Sequence, residues 1–195
     1  MYEYVSGTLV ELNPAEAIVE AGGIGYQVLI SLGTYGEIET RLGATVKLYL
    51  YHLLREDDEA LYGFATKDER ALFTLLISVG GVGCGTARMM LSSLSQEELR
   101  NAIIGQDVRK IKPIKGIGTK TAERIILELK DKIVKGAGSA PSVVTGSNAT
   151  REEAFNALIL LGFSKPNVEK ALDMVLKDNP TISLENLIKN SLKIL

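Results

Sequence analysis

The residues best suited to chemistry lie between Lys115 and Arg124: Lys115, Gly116, Ile117, Gly118, Thr119, Lys120, Thr121, Ala122, Glu123 and Arg124. Two glycines one residue apart, followed by threonines and cations, describe a tight hairpin opening a helix. Gly116 and Gly118 are free to take positive φ and place no Cβ in front of the backbone, so main-chain N–H groups can approach a ligand closely. Thr119 and Thr121 stand at a helix N-terminus, where unpaired donors and the helix dipole attract anions, and Lys120 and Arg124 add full charges. Such an end binds phosphate. A single Gly-x-Gly at a helix start is more often a plain turn than a ligand site, and neither the dinucleotide nor the P-loop spacing is present.

The chain carries this arrangement twice, thirty-five residues apart. Gly81, Val82, Gly83, Thr86 and Ala87 align with Gly116, Ile117, Gly118, Thr121 and Ala122. Apolar residues match on both sides, with Leu76 against Ile111, Val79 against Ile114, Met90 against Ile125, Leu91 against Ile126 and Leu94 against Leu129. The spacing predicts two copies of helix, glycine hairpin and helix, packed together because neither alone can bury its apolar stripe. Two phosphate grips side by side suit a nucleic-acid backbone.

The net charge of −2 argues against such a partner until it is divided along the chain. Residues 1–65 hold three basic and ten acidic residues, residues 66–135 thirteen and eight, and residues 136–195 six of each. The basic excess falls on the hairpin segment. Between Arg109 and Arg124, six of seven charges are positive, an electrostatic footprint for phosphate.

The elements that must position these residues begin with strands. Tyr4–Leu12, Ala17–Ala21, Ile24–Ile30, Val46–Leu54 and Ala60–Phe64 are rich in Val, Ile, Leu and Tyr, and are broken by Asn13 with Pro14, by Gly22 with Gly23, and by the region from Gly33 to Gly43. Five short strands predict a small closed barrel of the OB type, or a plain β-domain used for packing. Its only basic residues are Arg41, Lys47 and Arg55, so most of its surface should avoid phosphate.

Glu56, Asp57, Asp58 and Glu59 place four carboxylates on the tip of its last hairpin. A solvated turn explains them. A magnesium site for phosphodiester hydrolysis would need carboxylates converging from several elements. Repulsion of DNA phosphates is the third reading. One carboxylate at about 10 Å from a phosphate contributes only about 0.4 kcal/mol in water, so repulsion works only where several tips meet.

From Lys67 the period becomes helical, with Leu72, Leu75, Leu76 and Val79 on one face. Ser95 is an N-cap for a short helix over Glu97–Ile104, and the helix of the second hairpin runs from Thr119 to about Val134, with Ile125, Ile126, Leu129 and Ile133 inward and Gly136 at its end. Residues 136–149 carry no charge and read as a flexible linker. Thr150 and Glu153 fit a capping box, Ser164 and Pro166 open a second helix after Gly162 and Phe163, and a third spans Leu184–Leu195. A tethered three-helix module of this size serves to dock a partner, or is a stabilising appendage.

Length and composition fit a globular chain of one to three domains. No apolar run is long enough to span a bilayer, and no signal peptide is visible at the N-terminus, so a cytoplasmic location with no membrane partner is expected. The single cysteine, Cys84, excludes an internal disulfide, and with one histidine, His52, there is no ligand set for zinc. No cofactor, metal or catalytic residue is expected. A DNA glycosylase or lyase, which can use such hairpins, would need a base-flipping pocket and a catalytic Lys or Asp that nothing here marks. A general duplex-binding scaffold would bind linear and branched DNA equally.

Taken in order, Gly22–Tyr26, Arg55–Asp57 followed by Leu61–Phe64, the two hairpins, Thr121–Arg124 and Leu161–Phe163 make the chain resemble the RuvA family, the Holliday junction branch migration subunits of bacteria. The resemblance implies an α+β multidomain fold: an N-terminal OB-type β-barrel over residues 1–64, a central tandem helix-hairpin-helix domain over 65–135, the flexible linker 136–149 and a C-terminal three-helix, UBA-like domain over 150–195. It implies a homotetramer, paired or not as an octamer, whose concave positive face holds an open four-way junction DNA. Glu56 and Asp57 would form an acidic pin at its centre. Gly81, Gly83, Thr86, Arg88, Lys115, Gly116, Gly118, Thr119, Lys120, Thr121 and Arg124 would grip the DNA backbone. Leu161, Gly162 and Phe163 would dock the RuvB hexameric ATPase, and the junction would pass to the RuvC nuclease, all within DNA recombination, DNA repair and the SOS response to DNA damage. The chain departs from the family in having Cys84 and Gly85 where proline and lysine are common, which shifts the grip toward Lys120 and Arg124. Lys115 also replaces a common proline.

Overall fold

The computed structural model describes residues 2–56, 59–137 and 146–195. These divide into two compact units, Met1–Gly138 and Ser139–Leu195.

The first unit opens with β1 (Tyr4–Asn13), β2 (Glu16–Ala21), β3 (Ile24–Ile30), α1 (Leu32–Ile38), β4 (Thr45–Leu54) and β5 (Glu59–Phe64). The strands close into a barrel in the order β1-β2-β3-β5-β4. β1 is shared: Tyr4 to Thr8 pair with β4, and Thr8 to Asn13 pair with β2, with a register shift between Leu9 and Glu11. The closing β3–β5 pair is parallel, Leu29 against Tyr62 and Ile30 against Gly63. Alternate residues point inward, so Val5, Leu9, Ala17, Val19, Val28, Ile30, Val46, Leu48 and Leu50 form one buried cluster. This is the OB-type barrel expected.

The expected break from Gly33 to Gly43 between β3 and β4 is itself structured, because α1 and a 3₁₀ turn over Glu39–Arg41 occupy most of it. Two glycines make α1 a poor helix by propensity. Its Ser31 cap, which accepts from the Thr34 N–H, and its buried Thr34 and Ile38 hold it instead.

The helical half follows as α2 (Lys67–Ile77), α3 (Cys84–Ser93), α4 (Gln96–Ile104), α5 (Val108–Ile111) and α6 (Thr119–Ala137). Its core is continuous with β5: Phe73 of α2 packs its ring 4.8 Å from Phe64 and 5.3 Å from both Tyr62 and Tyr51. Leu72, Leu76, Val79, Met90, Leu91, Ile111, Ile114, Ile125, Ile126, Leu129 and Ile133 are all buried in this cluster. Nearly every apolar pair aligned between the two repeats is therefore internal, with Leu94 half-buried beside them. Ser95 caps α4 in a full capping box with Glu98. α6 runs through Gly136 to Ala137, past the expected stop, because one glycine in a last turn costs only about 1 kcal/mol.

The second unit consists of α7 (Gly146–Leu160), α8 (Lys165–Asp178) and α9 (Leu184–Leu192) around Ala154, Leu158, Val168, Leu172, Val175 and Leu187. α7 begins ahead of Thr150, so the expected capping box does not mark its start. Thr150 lies within the helix. Of the linker, residues 138–145 lie outside the described residues. Among the described residues no helix is long and apolar enough to cross a membrane.

Candidate nucleic-acid interface

The two hairpins repeat one another bond for bond. In the first, the Val79 N–H donates to Leu76 O at 3.1 Å, the Val82 N–H to Val79 O at 3.0 Å and the Ala87 N–H to Gly83 O at 2.9 Å. In the second, Ile114 donates to Ile111 at 3.2 Å, Ile117 to Ile114 at 3.0 Å and Ala122 to Gly118 at 2.9 Å. Gly81 and Gly116 turn the chain with φ of 92° and 90°. Of the glycines free to take positive φ, only the first of each pair does so. The second glycine has another use. Gly83 is the extended N-cap of α3, with no side-chain cap bond to the helix end, and nothing lies within 4 Å of where a Cβ would stand on Gly83 or Gly118. Gly83 and Gly118 thus leave open space beside both helix starts, where a phosphate oxygen could meet unpaired N–H groups.

Cross-contacts join the hairpins. Thr86 Oγ1 lies 3.4 Å from where a Cβ on Gly116 would stand, so Thr86 is wedged between the repeats. The Arg124 guanidinium rests on Gly80 and its Nε donates to Glu128 Oε1 at 2.7 Å. Arg88 donates from Nη1 to Ala15 O at 3.0 Å, which ties α3 to the barrel and leaves its remaining donors for other partners. Lys110 pairs with Glu98 at 3.3 Å. Among the described residues no ion pair engages Lys115 or Lys120, and both are exposed together with Thr119. Thr121 is half-buried on the first turn of α6.

Glu56 is exposed beyond the end of β4, on the opposite part of the unit's sequence from the cations. Asp57 lies outside the described residues, as does Asp58. Glu59 is engaged by His52, whose Nε2 lies 2.8 Å from Glu59 Oε1. His52 therefore serves the hairpin's structure.

In the second unit, Leu161, Gly162 and Phe163 close α7. Gly162 has φ of 98°, its N–H donates to Ile159 O at 3.0 Å, and the Phe163 N–H donates to Leu158 O at 3.2 Å, a Schellman cap. Phe163 turns into the core, while Leu160 and Leu161 are 88% and 61% exposed. Leu160 belongs to this apolar surface and was not singled out from sequence, because its position at the helix end looks like the core positions before it. Sequence reasoning also missed Gly80, whose role depends on a contact across the two repeats.

A closed five-stranded barrel packed through β5 against two matched hairpins defines an OB-barrel protein with a tandem helix-hairpin-helix. Comparison with known proteins agrees. The RuvA N terminal domain model matches residues 1–63, the SAM-like helix-hairpin-helix tandem model 73–131, and the RuvA C-terminal domain model 149–195. A Holliday junction branch migration complex subunit RuvA from Bacteroides fragilis is 47% identical over 201 residues, covering 99% of each chain. Proteins of the same name from Parabacteroides distasonis and Christiangramia forsetii are 46% and 45% identical, covering 100% and 99% of each chain. The chain belongs to the RuvA family.

Proposed function

We propose that this chain is the junction-holding, non-catalytic subunit of a branch migration complex. It binds four-way DNA junctions by backbone shape and charge, holds them open and recruits the RuvB ATPase that drives branch migration. The observation that carries this reading is the pair of matched hairpins, each presenting a glycine-capped helix end to open space beside Lys115, Lys120 and Arg124. Gly81, Gly83, Gly116 and Gly118 admit the phosphate, and Thr86, Thr119, Thr121 and Arg88 flank it.

Backbone grips alone do not tell a junction from a duplex. Discrimination comes from the exposed Glu56 with Asp57. In a homotetramer four such tips meet at the crossover, and eight carboxylates at about 10 Å from phosphates sum to about 3 kcal/mol of repulsion before salt screening. That is enough to spread strands without cutting them. Two tetramers close over one junction, and the junction then passes to RuvC. The apolar Leu160 and Leu161 dock the motor, with Gly162 and Phe163 fixing the turn that presents them. The work takes place in the cytoplasm with no cofactor.

The test is competition for a labelled four-way junction by an unlabelled linear duplex of the same sequence. A large molar excess of duplex should be needed to displace the junction. Equal competition would make the chain a general duplex binder, and strand cleavage would make it an enzyme.

A further inference from the structure

The barrel is fastened to the helical half through a carboxylate that the phosphate grips do not use. Glu69 of α2 is only 3% exposed. Its Oε1 accepts from the Ser31 hydroxyl at 2.5 Å and its Oε2 from the Thr34 hydroxyl at 2.7 Å. Each hydroxyl is fixed in turn, because Ser31 Oγ accepts from the Thr34 N–H at 3.0 Å and Thr34 Oγ1 accepts from the Ala65 N–H at 3.1 Å. Glu69 donates its own N–H to Thr66 Oγ1 at 3.1 Å. Among the described residues no ion pair reaches Glu69.

A carboxylate removed from water without a cation is stable only where hydrogen bonds satisfy its oxygens. Here the two donors are Ser31, the N-cap of α1, and Thr34 within it, while the carboxylate belongs to α2. Apolar contacts tolerate small slips, but this pair does not, because any slip strands a buried charge. A second strap lies alongside: the Leu32 N–H donates to Ser92 Oγ of α3 at 3.1 Å. α2 leads into the first hairpin and α3 leads out of it, while the barrel carries Glu56.

We propose that Ser31, Thr34 and Glu69 form a polar lock that fixes the span between the acidic tip and the first hairpin, and that this span sets selectivity for branched over linear DNA. The proposal rests on the functional reading above. A linear duplex needs only the grips, whereas a junction must meet grips and tip at once. Glu69 is a positioning residue.

Thr34→Val keeps the side chain's size and removes its hydroxyl, Thr34→Ser keeps the hydroxyl, and Glu69→Gln removes the charge. Two quantities are measured on the full chain: the ratio of four-way junction to linear duplex affinity, and hydrogen exchange at the Ala65 amide. Thr34→Val and Glu69→Gln should lower the ratio about fivefold to tenfold, the effect of one hydrogen bond, with duplex affinity unchanged. Thr34→Ser should keep the wild-type ratio, and Ala65 exchange should quicken in Thr34→Val. A wild-type ratio in both Thr34→Val and Glu69→Gln overturns the proposal, as does a parallel loss of junction and duplex binding, which is the mark of a merely structural role. If the wild-type chain itself shows no preference, the functional reading fails. The lock is then judged by exchange, and unchanged Ala65 exchange in Thr34→Val overturns it.

Discussion

The Arg124 guanidinium of the second hairpin's helix lies on Gly80 of the first, so that a Cβ at Gly80 would stand 2.7 Å from both terminal nitrogens. The two hairpins are thereby joined, because a cation of one repeat is seated on the backbone of the other. Gly80 is not among the positive-φ glycines, so alanine suits its backbone and displaces only a flexible side chain. Gly80→Ala should change stability by less than about 1 kcal/mol while weakening junction and duplex binding together. Thermal unfolding alongside a binding titration checks this, and unaltered affinity would remove Arg124 from the grip.

The two glycines of one hairpin should separate folding from binding. Gly116 has φ of 90° with Thr86 close by, so Gly116→Ala should destabilise the chain by about 1–2 kcal/mol. Gly118 has open space around it and no positive φ, so Gly118→Ala should fold normally. Its methyl group would stand in the path of the phosphate and lower affinity. Chemical denaturation and DNA titration of both variants give the comparison.

Salt dependence distinguishes a charge that touches phosphate from one that braces the fold. Lys120→Ala should lower the slope of log affinity against log salt by about one for each phosphate that the lysine neutralises, for duplex and junction alike. Arg88 already donates to Ala15 O, so Arg88→Ala should change the slope less than Lys120→Ala does. Equal changes would make Arg88 a full member of the grip.

Acid should loosen the first unit through two carboxyls held below their ordinary value of 4.5. For Glu98 the leading cause is the Ser95 backbone N–H, followed by the Ser95 hydroxyl and Lys110; for Glu3 it is the Arg70 guanidinium. Their contribution is complete above the ordinary carboxylate value and is lost as pH falls through the lowered folded values, because the unfolded chain takes up those protons first. The denaturation midpoint should therefore fall on acidification below that value, and Glu98→Gln should flatten the fall. An identical pH dependence in the variant would show that Glu98 is not linked to folding.

Much of this was legible in the sequence wherever the determinant is local or periodic. The five strands, the Ser95 cap and the apolar pairs from Leu76 with Ile111 to Leu91 with Ile126 follow from alternation, capping chemistry and helical spacing. What escaped depends on partners far along the chain. α1 is weak by propensity and is held through Glu69, 35 and 38 residues from its partners, which no local pattern reveals. The wedge of Thr86 against Gly116 and the seat of Arg124 on Gly80 require the two repeats to be packed first. Which glycine of each pair turns the chain was not legible either: the first does so and the second stands at the helix start. Of Glu56 and Asp57, only Glu56 lies among the described residues.

The central claim is that the hairpins hold and the acidic tip discriminates. It is tested most directly by the ratio of four-way junction to linear duplex affinity in the wild-type chain and in Glu56→Gln. In the variant junction affinity should be retained and duplex affinity should rise as the repulsion is removed, so that the ratio falls toward one. A collapse of junction binding with duplex binding intact would instead make Glu56 a structural or binding residue, and an unchanged ratio would place discrimination elsewhere.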